Sequence, residues 1–248
     1  MPTPLVINLH EGDLVVASGV GVAVDLWGTD SVETRRAAAL TLVVFEATGA
    51  CSVHVETSRD GTTWQRINTS AAGASGVTEL LLGDMQRYAR ASWTIPALGS
   101  VRFALSGKAL ELWCSLTELA TLGSAAAALS ALPVATRLRH LLAATTVAAG
   151  YIARRHSAPI LRVGQDVVQA VAKLASVSLL TDAHGVNPHT EAAALVFEEA
   201  RGKERWLRDV SNGLAVADVT DSTPTAHEGS GAVAVSGLPR GWGSMSIV

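Results

Sequence analysis

Leu112-Trp113-Cys114-Ser115-Leu116-Thr117-Glu118-Leu119 is the stretch on which the reading of the fold turns. Upstream of it, apolar and polar residues alternate with a period of two; downstream, apolar residues recur every three or four positions. Ser115 followed three residues later by Glu118 is a capping-box pattern. The Ser hydroxyl would accept from the backbone N–H of Glu118, and the Glu carboxylate would reach back to the N–H of Ser115. Leu116, Leu119 and Leu122 then share one side of a short helix, and Gly123 ends it. A strand-built half therefore meets a helix-built half near Trp113.

Working back from that point, Ser52-Val53-His54-Val55-Glu56-Thr57 alternates cleanly, with Val53 and Val55 on one face and His54 and Glu56 on the other, solvated one. Ser58-Arg59-Asp60-Gly61 supplies an Asp-Gly turn, and Thr63–Ile67 returns as the partner strand. Further strands are predicted at Leu14–Ala17, Val20–Leu26, Leu40–Phe45, Thr78–Leu82, Tyr88–Ile95 and Val101–Leu105. Many short strands at regular spacing predict an antiparallel β-sandwich over residues 1–112.

Working forward, Leu138, Leu141, Leu142, Thr145, Ala148, Ala149 and Ile152 fit one face of a long helix between Val134 and Arg155, closed by Pro159. Val167, Val171, Leu174, Ala175 and Ser178 mark another. A fourth uses Ala193, Val196, Phe197, Ala200, Leu207 and Val210, with Pro188 in its first turn and Gly213 at its end. Residues 113–216 thus predict an α-helical bundle, for an α+β chain overall. Residues 217–248 are rich in Ser, Thr, Gly and Pro and carry no helical period, so they predict an extended C-terminal arm.

The chain has 248 residues and a net charge of −3, which argues against a broadly basic nucleic-acid binder. Residues 1–112 hold 11 acids and 8 bases, residues 113–216 hold 8 and 10, and the remainder 3 and 1, so a mildly basic middle lies between acidic ends. Cys51 and Cys114 sit in apolar, strand-like settings and read as free, buried thiols. Met1-Pro2-Thr3-Pro4 lacks the basic start and apolar core of a signal peptide, and no apolar run reaches the length of a membrane span.

Motifs for chemistry are sparse. Gly19-Val20-Gly21 lacks the third glycine and following helix of a dinucleotide fingerprint, and the Gly/Ala-rich Ser70–Gly76 has no Lys for a phosphate loop. No Gly-x-Ser-x-Gly, Cys-x-x-Cys or His-x-x-x-His pattern is present. His184, His189 and Glu191 gather around one loop without metal-ligand spacing. The sequence predicts no catalytic residue, cofactor or metal, and a protein that is not an enzyme.

Two resemblances sharpen this. Val55–Trp64, then Tyr88-Ala89-Arg90, then Phe103–Gly107, resembles jelly-roll modules of phage virion proteins. The helical half resembles the head–tail connector (neck adaptor) family of tailed phages, including its Mu-like branch. The resemblance lies in four blocks in family order: Leu112–Leu119, Ala143–Ile160, Leu179–Pro188 and Arg205–Gly213. It departs from the family at Ala149, where an acidic residue is usual, and at His156, where an aromatic is usual. The family is normally the bundle alone, so a fused β-domain is unusual.

That resemblance implies a virion protein of the head–tail junction, made in the host cytoplasm. It would form a homo-oligomeric ring, a dodecamer by the family's pattern, under the portal protein, extend the channel for double-stranded DNA, and dock the next neck or tail-terminator protein. For portal or subunit contact it points to Arg201, Arg205 and Trp206 on the last helix. These alternating charges read equally as exposed (i, i+4) pairs, with Trp206 first of all a core residue. In the arm, Trp242 would be the anchor and Arg240 a polar clamp. Arg154, Arg155 and His156 either complement a helix C-terminus or face DNA or an acidic partner. The alternative is a carbohydrate-binding or decoration module in which Trp64 and Trp93 contact glycan.

Overall fold

The computed structural model describes residues 5–29, 31–124, 126–184 and 191–222. Its N-terminal part is two antiparallel sheets packed face to face. The strands are β1 (Val6–Val15), β2 (Gly19–Val20), β3 (Val24–Asp25), β4 (Ala37–Thr48), β5 (Ser52–Ser58), β6 (Gln65–Ala71), β7 (Gly76–Leu82), β8 (Tyr88–Thr94) and β9 (Ser100–Leu110). One sheet runs β1-β9-β4-β7; the other runs β2-β8-β5-β6, with β3 also paired to β8. Only β5 and β6 are both consecutive in sequence and adjacent as full neighbours, so the chain crosses between sheets at most other turns. The core between them holds Ile7, Leu9, Leu40, Leu42, Val44, Val53, Val55, Ala89, Ala91, Val101, Phe103 and Leu105. These are the alternate residues of each strand, as the period-two pattern requires.

The predicted turn after β5 is real but longer than a two-residue hairpin. Asp60 accepts from the backbone N–H groups of Thr62 and Thr63, both at 2.8 Å, and Gly61 adopts φ +75°. β6 therefore begins at Gln65, two residues later than the sequence suggests. Those hydrogen bonds hold the exposed Asp60 carboxyl well below the usual carboxylate range.

The helical part comprises α1 (Leu116–Leu122), α2 (Ala126–Ser130), α3 (Val134–Ile152), α4 (Gln165–His184) and α5 (Glu191–Asn212). The capping box at α1 forms as read: Ser115 Oγ accepts from Glu118 N at 3.0 Å, and Glu118 Oε2 accepts from Ser115 N at 2.7 Å. α3 buries Leu138, Leu141, Ala144, Thr145, Ala148 and Ile152, the stripe its spacing predicts, but ends at Ile152 rather than Arg155. α4 is buried over more of its surface, including Val167, Val168, Ala170, Val171, Ala172, Ala175, Ser176, Leu179 and Leu180. It packs on α1, α2, α3 and α5, so it is the central helix.

Two short strands were not legible in the sequence. β10 (Ile160–Val163) and β11 (Val219–Asp221) pair antiparallel, with Val163 opposite Val219. This corrects the boundary of the arm. The chain does not leave the bundle at residue 217: Ala217 is buried, Gly164 N donates to Asp218 O at 2.6 Å, and Ser157 N donates to Asp221 at 2.9 Å. Residues 223–248 lie outside the described residues.

The two halves share packing. Trp113, Leu112, Cys114 and Ala37 belong to the helical core, with Leu81 and Leu110 packed on it. Thr34 Oγ1 donates to Ile160 O at 2.9 Å, and Asp84 Oδ1 accepts from Leu116 N at 3.1 Å. Cys51 and Cys114 are free, each buried in a different core, and burial pushes the Cys114 thiol up. Among the described residues no helix is long and apolar enough to cross a membrane.

Candidate functional site

His54 and Glu56, expected on a solvated strand face, are both buried. The cause is the position of β5, inside its sheet between β6 and β8, with long side chains lying over its outer face. Glu56 is held by Arg90 at 2.9 Å, by the hydroxyl of Ser92 at 2.8 Å and by Arg66 at 3.6 Å. Arg90 in turn lies 4.0 Å from the ring centroid of Trp64. His54 bridges Thr69 Oγ1 at 3.0 Å and Thr94 Oγ1 at 3.1 Å. Burial pulls Glu56 upward, but the hydrogen bonds from Ser92 and Arg90 and the charges of Arg90 and Arg66 outweigh it and keep the carboxyl below its usual range. Every charged or polar group here has a partner inside the sheet, which makes the cluster a brace for β5, β6 and β8.

Trp64 and Trp93 are not brought together. Trp64 covers the outer face against Arg90, whereas Trp93 turns inward, its centroid 5.6 Å from Phe103 and 5.0 Å from His10. Its indole Nε1 donates to Ala17 O at 2.9 Å. Alternation along β8 dictates this, because Ala89, Ala91 and Trp93 share the core face while Arg90 and Ser92 share the other.

On α5, Arg201 is exposed and paired to Glu198 at 2.7 Å, the turn-to-turn pairing its spacing predicts, and Arg208 pairs with Glu204 at 3.5 Å. Arg205 is exposed. Trp206 is half-buried on the helical core and borders an opening of about 390 Å³ with Gln169, Lys173, Glu199, Gly202 and Lys203. Inside that opening Lys173 meets Glu199 at 2.6 Å, with Ser124 Oγ on the same carboxylate at 3.0 Å. These bonds hold Glu199 below its usual range and tie α5 to α4 and the end of α1. Arg201, Arg205 and Trp206 therefore lie on one helix, with the Trp turned toward the bundle and Arg201 and Arg205 toward solvent.

Arg154, Arg155 and His156 follow the last turn of α3. Arg154 and Arg155 are exposed, and the Arg155 guanidinium lies over Gly213, whose φ of +76° ends α5 without a side chain in the way. His156 departs from its two neighbours: its Nδ1 is 3.3 Å from Asp221 on β11. Sequence reasoning missed this pairing because it read Asp221 as part of a free arm. Arg240 and Trp242 lie outside the described residues, as do His189 and the side chains of His184 and Glu191. Among the described residues no group of three His, Cys, Asp or Glu side chains is placed to hold a metal ion.

An opening of about 950 Å³ lies at the seam between the two halves. It is bordered by the edge strands β6 and β7, the Gly83–Gln86 loop, and the starts of α1 and α3. No protein-family model and no curated protein matches this chain. Among solved structures it is similar to the crystal structure of PBSX exported protein XepA, with a TM-score of 0.34 and 14% identity, over 42% of this chain and 36% of that one. This chain thus spans little more than a third of that protein's length.

Proposed function

We propose that this chain is a structural, non-enzymatic head–tail connector subunit of a tailed phage, working in the virion as part of a ring beneath the portal. One observation carries the reading. The four blocks resembling the connector family all fall at junctions of the helical unit. The first caps α1; the second spans the end of α3, the turn through cis-Pro159 and the entry to β10. The third begins in the last turns of α4, and the fourth runs through the end of α5 to its Gly213 terminus. Blocks that recur at helix ends set how helices are joined, which is what a shared bundle requires.

In this reading the bundle forms the ring wall and the basic residues Arg154 and Arg155 face passing DNA or an acidic neighbour. The β-sandwich, which we read as a jelly-roll module, hangs outside. Residues 223–248, with Arg240 and Trp242, dock on the portal or an adjacent subunit, where modest single contacts multiply around the ring. The test is reconstitution with purified portal rings, followed by electron microscopy and mass measurement. Stoichiometric rings seated on the portal are the expected result; a monomer that never joins the portal overturns the proposal.

A further inference from the structure

The two sheets of the sandwich present four edges, and three of them are blunted against further pairing. β1 is broken by two register irregularities along β9, and β6 by one along β5. β2 and β3, which share an edge, are two residues each. β7 differs. Its register with β4 runs unbroken from Gly76 opposite Val44 to Leu82 opposite Ala38, with no proline and a single charged residue, Glu79. Among the described residues β4 is its only ladder neighbour. A regular, weakly charged edge of this length is a template for one more strand.

There is room beside it for that strand. The opening of about 950 Å³ is bordered by β7 and β6, edge strands of opposite sheets. Ile67, Leu80, Leu82 and Met85 border it and also belong to the sandwich core or pack on it, so the core is open on this side. Its charged neighbours are two bases, Arg36 and Arg66, and two acids, Glu79 and Asp84. That balance suits an occupant without charge.

The sequence beyond Ser222 contains such a segment. Gly231-Ala232-Val233-Ala234-Val235-Ser236 alternates with a period of two, has β-branched Val at alternate positions, and lies between Gly229 and Pro239 in a run free of charge. Ser244–Val248 also alternates, but with Ser and Met and no following turn signal. The first segment is within reach. Asp221, one residue before Ser222, lies opposite Ile160, whose carbonyl accepts from Thr34 Oγ1 at 2.9 Å. Arg36, two residues further on, borders the opening. That path is at most about 25 Å, and the nine residues from Thr223 to Gly231 extend to about 30 Å.

We propose that residues 231–236 add to the β7 edge of their own sandwich as an antiparallel strand, with Val233 and Val235 directed at Ile67, Leu80 and Leu82. Arg36 neighbours the Leu82 end of β7, since its carbonyl accepts from Met85 N at 2.9 Å, so the segment enters there and runs against β7. Tethering gives it a high effective concentration at the edge, ahead of any other copy. The strand closes the core and fixes the point from which Arg240 and Trp242 leave. The inference goes beyond the connector reading and needs neither a portal nor a second copy.

The experiment is hydrogen exchange by mass spectrometry, without portal, on three full-length proteins: wild type, V233P/A234P and S246P/I247P. Adjacent prolines remove backbone donors from both sides of a strand. Wild type should protect Gly76–Leu82 and residues 231–236 while light scattering reports 25.6 kDa. V233P/A234P should lose both protections with β8, in the other sheet, unchanged; S246P/I247P should keep them. The proposal is overturned if residues 231–236 exchange as a free peptide in wild type, or if V233P/A234P leaves β7 protected. It is equally overturned if S246P/I247P removes the protection, if β8 loosens with β7, or if β7 is protected only as mass rises above the monomer, which would make another copy the cover.

Discussion

Trp113 is the side chain that most directly tests how the two halves are joined. It is fully buried in the helical core beside Leu112 and Ala37 from the sandwich, and its indole Nε1 has no hydrogen-bond partner. Replacing a buried Trp by Ala ordinarily costs about 3–5 kcal/mol. An orphaned buried donor already costs the native state about 1–3 kcal/mol, which both substitutions return. Trp113→Ala should therefore lose only about 2 kcal/mol, and Trp113→Phe, which keeps most of the apolar bulk, should fall within about 1 kcal/mol of wild type. Urea denaturation followed by helical circular dichroism measures both, and hydrogen exchange shows where the loss is felt. Because the residue packs against both halves, protection should fall in β4 and β9 as well as in α3 and α4. A Trp113→Phe loss as large as that of Trp113→Ala would refute the reasoning, since it would mean that the indole N–H is satisfied. So would a loss confined to the helices.

Three further outcomes are expected. Truncation after Val216 should strip β10 of its partner and raise exchange at Ile160–Val163, measured by mass spectrometry. Ser115→Ala should cost about 1 kcal/mol through loss of the α1 cap, read as a lower denaturation midpoint. Burial, aided by Arg66 and opposed by Glu56, holds His54 below its ordinary 6.5. The unfolded chain then binds that proton first, so stability should fall as pH drops below about 6.5 and continue falling until the folded imidazole titrates. His54→Gln should flatten that part of the pH–stability curve, and an unchanged slope would exclude His54 as its source.

Much of the architecture follows from local patterns. The alternation at Val53–Thr57 and Tyr88–Trp93, the stripe along α3 and the Ser115/Glu118 box each depend on residues within a few positions of one another. The α+β division near Trp113 was therefore readable. α4 was only partly so: its apolar residues spread around the helix because it is central, and a helix buried on several sides shows no single stripe.

What needed the tertiary structure was every contact made at long range. Asp221 lies 65 residues from His156 and 61 from Ile160, and no local period announces a three-residue strand, so the start of the arm looked free when it is paired. The burial of His54 and Glu56 depends on Arg66, Arg90 and Trp64 closing over β5 from neighbouring strands. The separation of Trp64 from Trp93 depends on which face of the sheet each strand turns inward. Sequence determines a residue's periodic neighbours; only folding decides what covers its outer side, because that cover comes from chain that is distant until the sheets and helices meet.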